Sequence, residues 1–234
     1  MRTIFTLATL LIATTAFGSA NGFGLTVLVD DSPRAEYWHN GTLYIEAVRG
    51  ANYALRLTNP TPYRVAVALS VDGLNTIDAR HTDAKGATKW VLAPYESTVI
   101  SGWQVDQGNA RNFFFTGERR SYGALLGQTE NLGVIEAVFY RERRPRIREF
   151  SAPDARGSAK RDALSDDYAA TGMGRRERHE IEMVDIDLEP QPAASIRIRY
   201  EFAPQLVKMG ILPSRSPIER RERAQGFSAF CPEP

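Results

Sequence analysis

The chain has 234 residues, with 29 Lys and Arg against 28 Asp and Glu. So even a balance gives no overall pull toward nucleic acid or an anionic membrane surface. The single cysteine, Cys231, excludes an internal disulfide, so burial alone must hold the core.

The first residues read as a leader rather than as fold. Arg2 supplies a positive start, Ile4 to Phe17 carries no charge, and Gly18-Ser19-Ala20 offers small residues for cleavage. This is the pattern of a secretory signal peptide over 1–20, and its apolar run is too short to span a bilayer. No cysteine at the boundary suggests a lipid anchor, and no later run suits a transmembrane helix. A periplasmic or secreted protein is expected.

Leu25 to Val29 reads as the first strand, turned by Asp30-Asp31-Ser32-Pro33. Asn40-Gly41 then joins Tyr37-Trp38-His39 to Leu43–Ala47. Tyr53, Leu55 and Leu57 alternate with Ala54, Arg56 and Thr58, as in a strand with one wet face. Val65 to Val71 is rich in small and β-branched apolar residues. Asp72-Gly73 follows it, a strong signal for a two-residue hairpin turn with positive φ at both positions. Residues 79–87 read as a loop. Short strands are expected at 89–92, 98–103 and 112–116, a helical turn near 121–126, and a strong strand over 133–140.

Composition shifts at Arg141. Residues 141–162 hold eight Lys or Arg and four Asp or Glu, with few bulky apolar side chains. A flexible basic linker is expected over 141–179, with Thr171-Gly172-Met173-Gly174 as a turn. Strands at 180–186 and 195–200 and a short helix at 203–209 then form an appendage over 180–212 that packs on the sandwich. The tail, 213–234, reads as loose. The whole predicts an all-β protein: an antiparallel β-sandwich over 21–140, jelly-roll or immunoglobulin-like, with no helices long enough for an α/β fold.

Val71–Asp78, Leu92–Ser97, Ile100–Trp103, Phe113–Thr116, Ser121-Tyr122, Asn131–Ile135, Thr171–Gly174, Ile196–Tyr200 and Gly210-Ile211-Leu212 occur in this order. In that order they resemble a group of uncharacterised secreted bacterial β-rich proteins. The resemblance covers most of the chain and implies the fold, with no activity attached. Asp78-Ala79-Arg80 stands where the group has Asp-Gly-Lys-Pro, and residues 141–170 carry extra arginine.

Two constellations suggest binding. Asp72, Asn75, Asp78 and Asp83, with His81 among them, could ligate Ca2+, although the spacing is not that of an EF-hand. Turn-making is the plainer role for these side chains. No other cofactor is expected. Trp38, Trp90, Tyr95, Trp103 and Tyr122 fall at predicted strand ends and loops, where they could stack on a glycan or peptide, or else plug the core. Glu46, Glu96 and Glu136 are the candidate acids of a carbohydrate-active hydrolase. His39, His81, His179, Ser97 and Ser101 have no catalytic context. The reading is a non-catalytic module that binds an envelope component, glycan or protein partner, and not nucleic acid. The alternatives are that hydrolase, or a structural envelope module.

Overall fold

The computed structural model describes residues 18–143 and 165–214. The apolar run of the expected leader, most of the basic stretch, most of the tail and Cys231 lie outside those residues. In chain order the strands are β1 (Ser19–Ala20), β2 (Phe23–Val29), β3 (Ser32–Pro33), β4 (Glu36–His39), β5 (Thr42–Ala47) and β6 (Asn52–Thr58). They continue with β7 (Val65–Val71), β8 (Leu74–Asn75), β9 (Trp90–Leu92), β10 (Ser97–Ile100), β11 (Gly102–Asp106) and β12 (Asn109–Gly117). A helical turn, α1 (Tyr122–Leu126), precedes β13 (Val134–Arg141), β14 (Ala169–Arg178), β15 (Ala194–Phe202) and α2 (Ala203–Lys208).

These strands make a sandwich of two sheets. One runs β1-β2-β6-β12-β11, with β3 on β2, β10 on β6 and β14 on β12. The other runs β4-β5-β15-β13-β7-β8, with β9 also on β7. Pairing is antiparallel except between β5 and β15, which run parallel. That exception needs a long return path, and the whole chain between the two strands supplies it.

The Asp72-Gly73 hairpin forms as its residues dictate. Asp72 has φ 53° and Gly73 φ 75°, and Val71 pairs with Leu74 across the turn. Alternation decides what is buried. On β15 the side chains of Ile196, Ile198 and Tyr200 face inward, while Ser195, Arg197 and Arg199 face solvent. Aromatic rings carry much of the contact between sheets: Phe23 lies 4.9 Å from Phe139, and Phe115 5.3 Å from Tyr200. Tyr53 stacks on Phe115 at 4.2 Å within its own sheet.

Three expectations change. Residues 169–178, read as the end of a linker, form β14, which pairs with β12 along most of its length. Its glycines mark close approach rather than a turn. A Cβ on Gly172 would meet the Phe114 ring at 2.3 Å, and one on Gly174 the Asn112 carbonyl oxygen at 2.8 Å. Residues 180–186 are not a strand; the extended segment there is tied by Ile181 N–H to Gln107 O at 2.9 Å. Finally, β15 is no appendage. It sits between β5 and β13, inside its sheet.

One close contact makes a direct test of this packing. A Cβ on Gly102 would stand 2.1 Å from the Arg111 carbonyl oxygen on β12. Gly102→Ala should cost about 1–3 kcal/mol or more by forcing β11 off β12. Gly108→Ala, in the β11–β12 turn with only an ordinary contact, should stay within about 0.5 kcal/mol. Urea unfolding of both variants gives the comparison.

Candidate functional site

The most concentrated polar chemistry is inside the sandwich. The turn after β7 points the Asp72 carboxylate inward, where it is 2 % exposed. Its Oδ1 accepts the Gly133 N–H at 2.8 Å and the Tyr200 hydroxyl proton. Its Oδ2 accepts the Thr171 N–H at 2.7 Å. Thr171 Oγ1 in turn meets the Tyr200 hydroxyl at 2.7 Å and the Tyr53 hydroxyl at 2.6 Å. Strands β6 and β14 of one sheet are thereby joined to β15 and the β7–β8 turn of the other.

Burial pushes the Asp72 carboxyl up to about 7, although the bonds from Tyr200, Thr171 and Gly133 pull it down. The Tyr53 and Tyr200 hydroxyls are pushed well above the usual tyrosine range by burial and then by the nearby carboxylate. All four side chains are buried, so the cluster ties the two sheets together from within the core.

The residues considered for Ca2+ do not converge. Asp72 is spent on the buried cluster. Asn75 Oδ1 accepts the Ile77 N–H, and its amide donates to Thr88 O at 2.7 Å. Asp78 takes the Arg80 N–H at 3.0 Å and the Thr88 hydroxyl at 2.7 Å. Asp83 caps Gly86 N–H at 2.6 Å. His81 Nδ1 donates to the Gly73 carbonyl at 3.0 Å. Each side chain shapes its own turn, and among the described residues no three His, Cys, Asp or Glu side chains form a metal-holding group.

The aromatic set divides in the same way. Trp103 is 2 % exposed and packs edge-on against Phe113 at 5.2 Å. Tyr122 packs on Trp103 at 5.0 Å. Trp103 therefore belongs to the core, and Tyr122, half-buried, packs against it. Trp38 is exposed on β4, at the opposite edge of its sheet from β9, which carries Trp90. Tyr95 is exposed in the turn before β10. Trp38 is thereby separated from Trp90, whereas Tyr95 lies in the turn whose Ala93 and Glu96 line the same cleft as Trp90.

Trp90 lines a cleft, of about 540 Å3, between the edges β9 and β10. Its indole N–H donates to Thr76 Oγ1 at 2.9 Å, which fixes the ring, and His179 lies 5.6 Å from it. Ile77 and Ile100 line the cleft from the sandwich, and Ile181, Met183 and Val184 from the crossing segment. Met183 and Val184 are exposed. His179 is held by the Gln104 side-chain oxygen at 2.8 Å and by its backbone N–H to Gly108 O. Burial lowers the Lys89 ammonium from its ordinary range, and that group donates to Lys85 O and Ala87 O.

The candidate acids stay apart from one another. Glu46 pairs with Arg34, Glu96 accepts the Ala93 N–H in a turn, and Glu136 pairs with Arg197. Sequence reasoning missed Tyr53, Thr171 and Tyr200 as partners of Asp72. Tyr200 is 128 residues from Asp72 in the chain, and no local spacing announces that contact.

The sequence matches no protein-family model, and no curated protein or solved structure matches it either. The class defined by the fold is therefore the all-β sandwich. No helix among the described residues is long and apolar enough to cross a membrane.

Asp72 predicts an unusual pH dependence. Its folded value is raised above the ordinary 3.8, so the folded state holds the proton more tightly than the unfolded chain. The resulting stability is complete below pH ~4 and is lost as pH rises through about 7, an effect on the order of 4 kcal/mol. Urea unfolding at pH 4.5 and 8 should show that fall in the wild type and not in Asp72→Asn. Equal slopes in the two proteins would contradict it. Tyr200→Phe removes one donor and should cost about 1–3 kcal/mol at pH 8.

Proposed function

We propose that this chain is a non-catalytic secreted or periplasmic module that binds an envelope component, glycan or protein partner. The observation that carries this reading is the cleft between β9 and β10. It joins a fixed, half-buried tryptophan to apolar walls and places charged side chains around them, the usual make-up of a ligand site. Its wall includes two exposed apolar side chains, Met183 and Val184, on a segment tied down by backbone bonds rather than buried. The secreted location rests on the leader pattern of residues 1–20.

The hydrolase reading has less support. A glycosidase needs two carboxyl groups about 5–10 Å apart across one bond. Here Glu46, Glu96 and Glu136 each satisfy a separate local partner.

Trp90 supplies its own reporter. Fluorescence titrations should use peptidoglycan fragments, lipopolysaccharide and envelope-protein peptides as separate probes. At least one class should change the tryptophan emission of the wild type. Val184→Arg, which fills the cleft mouth from an exposed position, should weaken that binding about tenfold or more. A signal unchanged by Val184→Arg, or no signal with any class, would overturn this function.

A further inference from the structure

A second concavity lies away from the Trp90 cleft, on the solvent face of the β4–β9 sheet. It has a volume of about 440 Å3, within the range of small-molecule sites, and its lining is mainly polar. Strand register builds it. Arg199 on β15 stands between Tyr44 on β5 and Val134 on β13. One row along, Arg197 stands beside Glu136, and Glu136 beside Ser70.

The two arginines differ in what they face. Arg197 is already spent on Glu136, at 2.9 Å. Arg199 stands opposite Tyr44 on one side and Val134 on the other, neither of them an acid. Its charge is felt by Glu201, two residues on along β15. Glu201 is turned toward the Ala169 N–H, at 3.3 Å. Among the described residues the Arg199 guanidinium makes no hydrogen bond, which leaves its planar fork of donors free for an incoming carboxylate.

The surroundings of Arg199 suit hydroxyl groups rather than more charge. His81 commits Nδ1–H to the Gly73 carbonyl at 3.0 Å, so Nε2 is its remaining acceptor. Asn131 is packed over Gly73, where even a Cβ would come within 2.8 Å, and its amide has no protein partner among the described residues. Ser70 adds a hydroxyl, and Tyr44, only 8 % exposed, supplies an apolar flank. One free guanidinium with neutral donors and acceptors around it matches a single anionic group on a polyhydroxylated body. Glu136 repels a second negative charge, which argues against a phosphate dianion.

We propose that this groove binds a carboxylate-bearing sugar, with Arg199 taking the carboxylate and His81 and Asn131 taking ring hydroxyls. The site is independent of the Trp90 cleft, so failure of either leaves the other standing. Because Arg199 is exposed, the affinity should be weak, with Kd on the order of 1 mM at low salt.

The test is a titration of the purified full chain, followed by amide chemical shifts, with glucuronate, glucose and acetate as separate probes. Glucuronate should shift residues of β15, β13 and the 73–81 loop. Glucose and acetate should each bind at least tenfold more weakly. Arg199→Gln should lose glucuronate about tenfold or more, with its unfolding midpoint unchanged. Glu136→Gln should bind it more tightly, and Arg176→Gln, on a distant strand, should bind it as the wild type does. The proposal is overturned if glucuronate shifts nothing at 20 mM or if Arg199→Gln binds it equally. It is also overturned if acetate matches glucuronate, since the site would then read charge without the sugar.

Discussion

A carboxylate taken out of water must be given hydrogen bonds in return, and that requirement at Asp72 organises the sandwich. The donors come from places far apart in the chain: the backbone of Gly133 before β13, the backbone of Thr171 on β14, and the hydroxyl of Tyr200 on β15. All must be in register at once for the group to be satisfied. The hydroxyl protons then have one consistent direction. A carboxylate only accepts, so Tyr200 donates to Asp72, Thr171 to Tyr200, and Tyr53 to Thr171. Protonating Asp72 reverses that chain and leaves the Tyr53 proton without a place in it. Hydrogen bonding therefore favours the ionised acid and burial the neutral one, which is why its value settles near neutrality.

The same cluster explains why β14 and β15 are integral to the fold. One is supplied to each sheet, and each brings a member of the buried network, Thr171 and Tyr200. Removing the C-terminal third would take away two of the donors on Asp72 as well as two strands. The unit that folds must therefore extend past the basic stretch.

Much of the first half was legible because its signals are local. The Asp72-Gly73 turn needs left-handed φ and carries residues that accept it, and Tyr53–Thr58 alternates with the pleat. β14 was not legible, because Thr171-Gly172-Met173-Gly174 has the composition of a turn; only the Phe114 ring across the pair explains the missing side chains. Trp103 and Trp38 look alike as sequence, yet one is enclosed and the other faces solvent. Burial of that kind follows from which strand lies opposite, a non-local fact. The candidate sites were legible only in part for the same reason. Trp90 was within reach of local reasoning, whereas Arg199 acquires meaning only from Tyr44 and Val134 on the strands beside it.

The exposed edges of the two sheets differ in a way that bears on partner choice. β14 ends in Arg175-Arg176-Glu177-Arg178, all exposed, and such a charged edge resists pairing with another chain. The β9 and β10 edges carry no comparable block, and the segment after β14 passes alongside them without joining either as a strand. A short edge flanked by apolar side chains and crossed by a tethered segment is shielded against indiscriminate strand addition yet keeps room for a fitted occupant. The fold thus closes one edge by charge and leaves the other shaped by packing, and selectivity in binding follows more readily from the second.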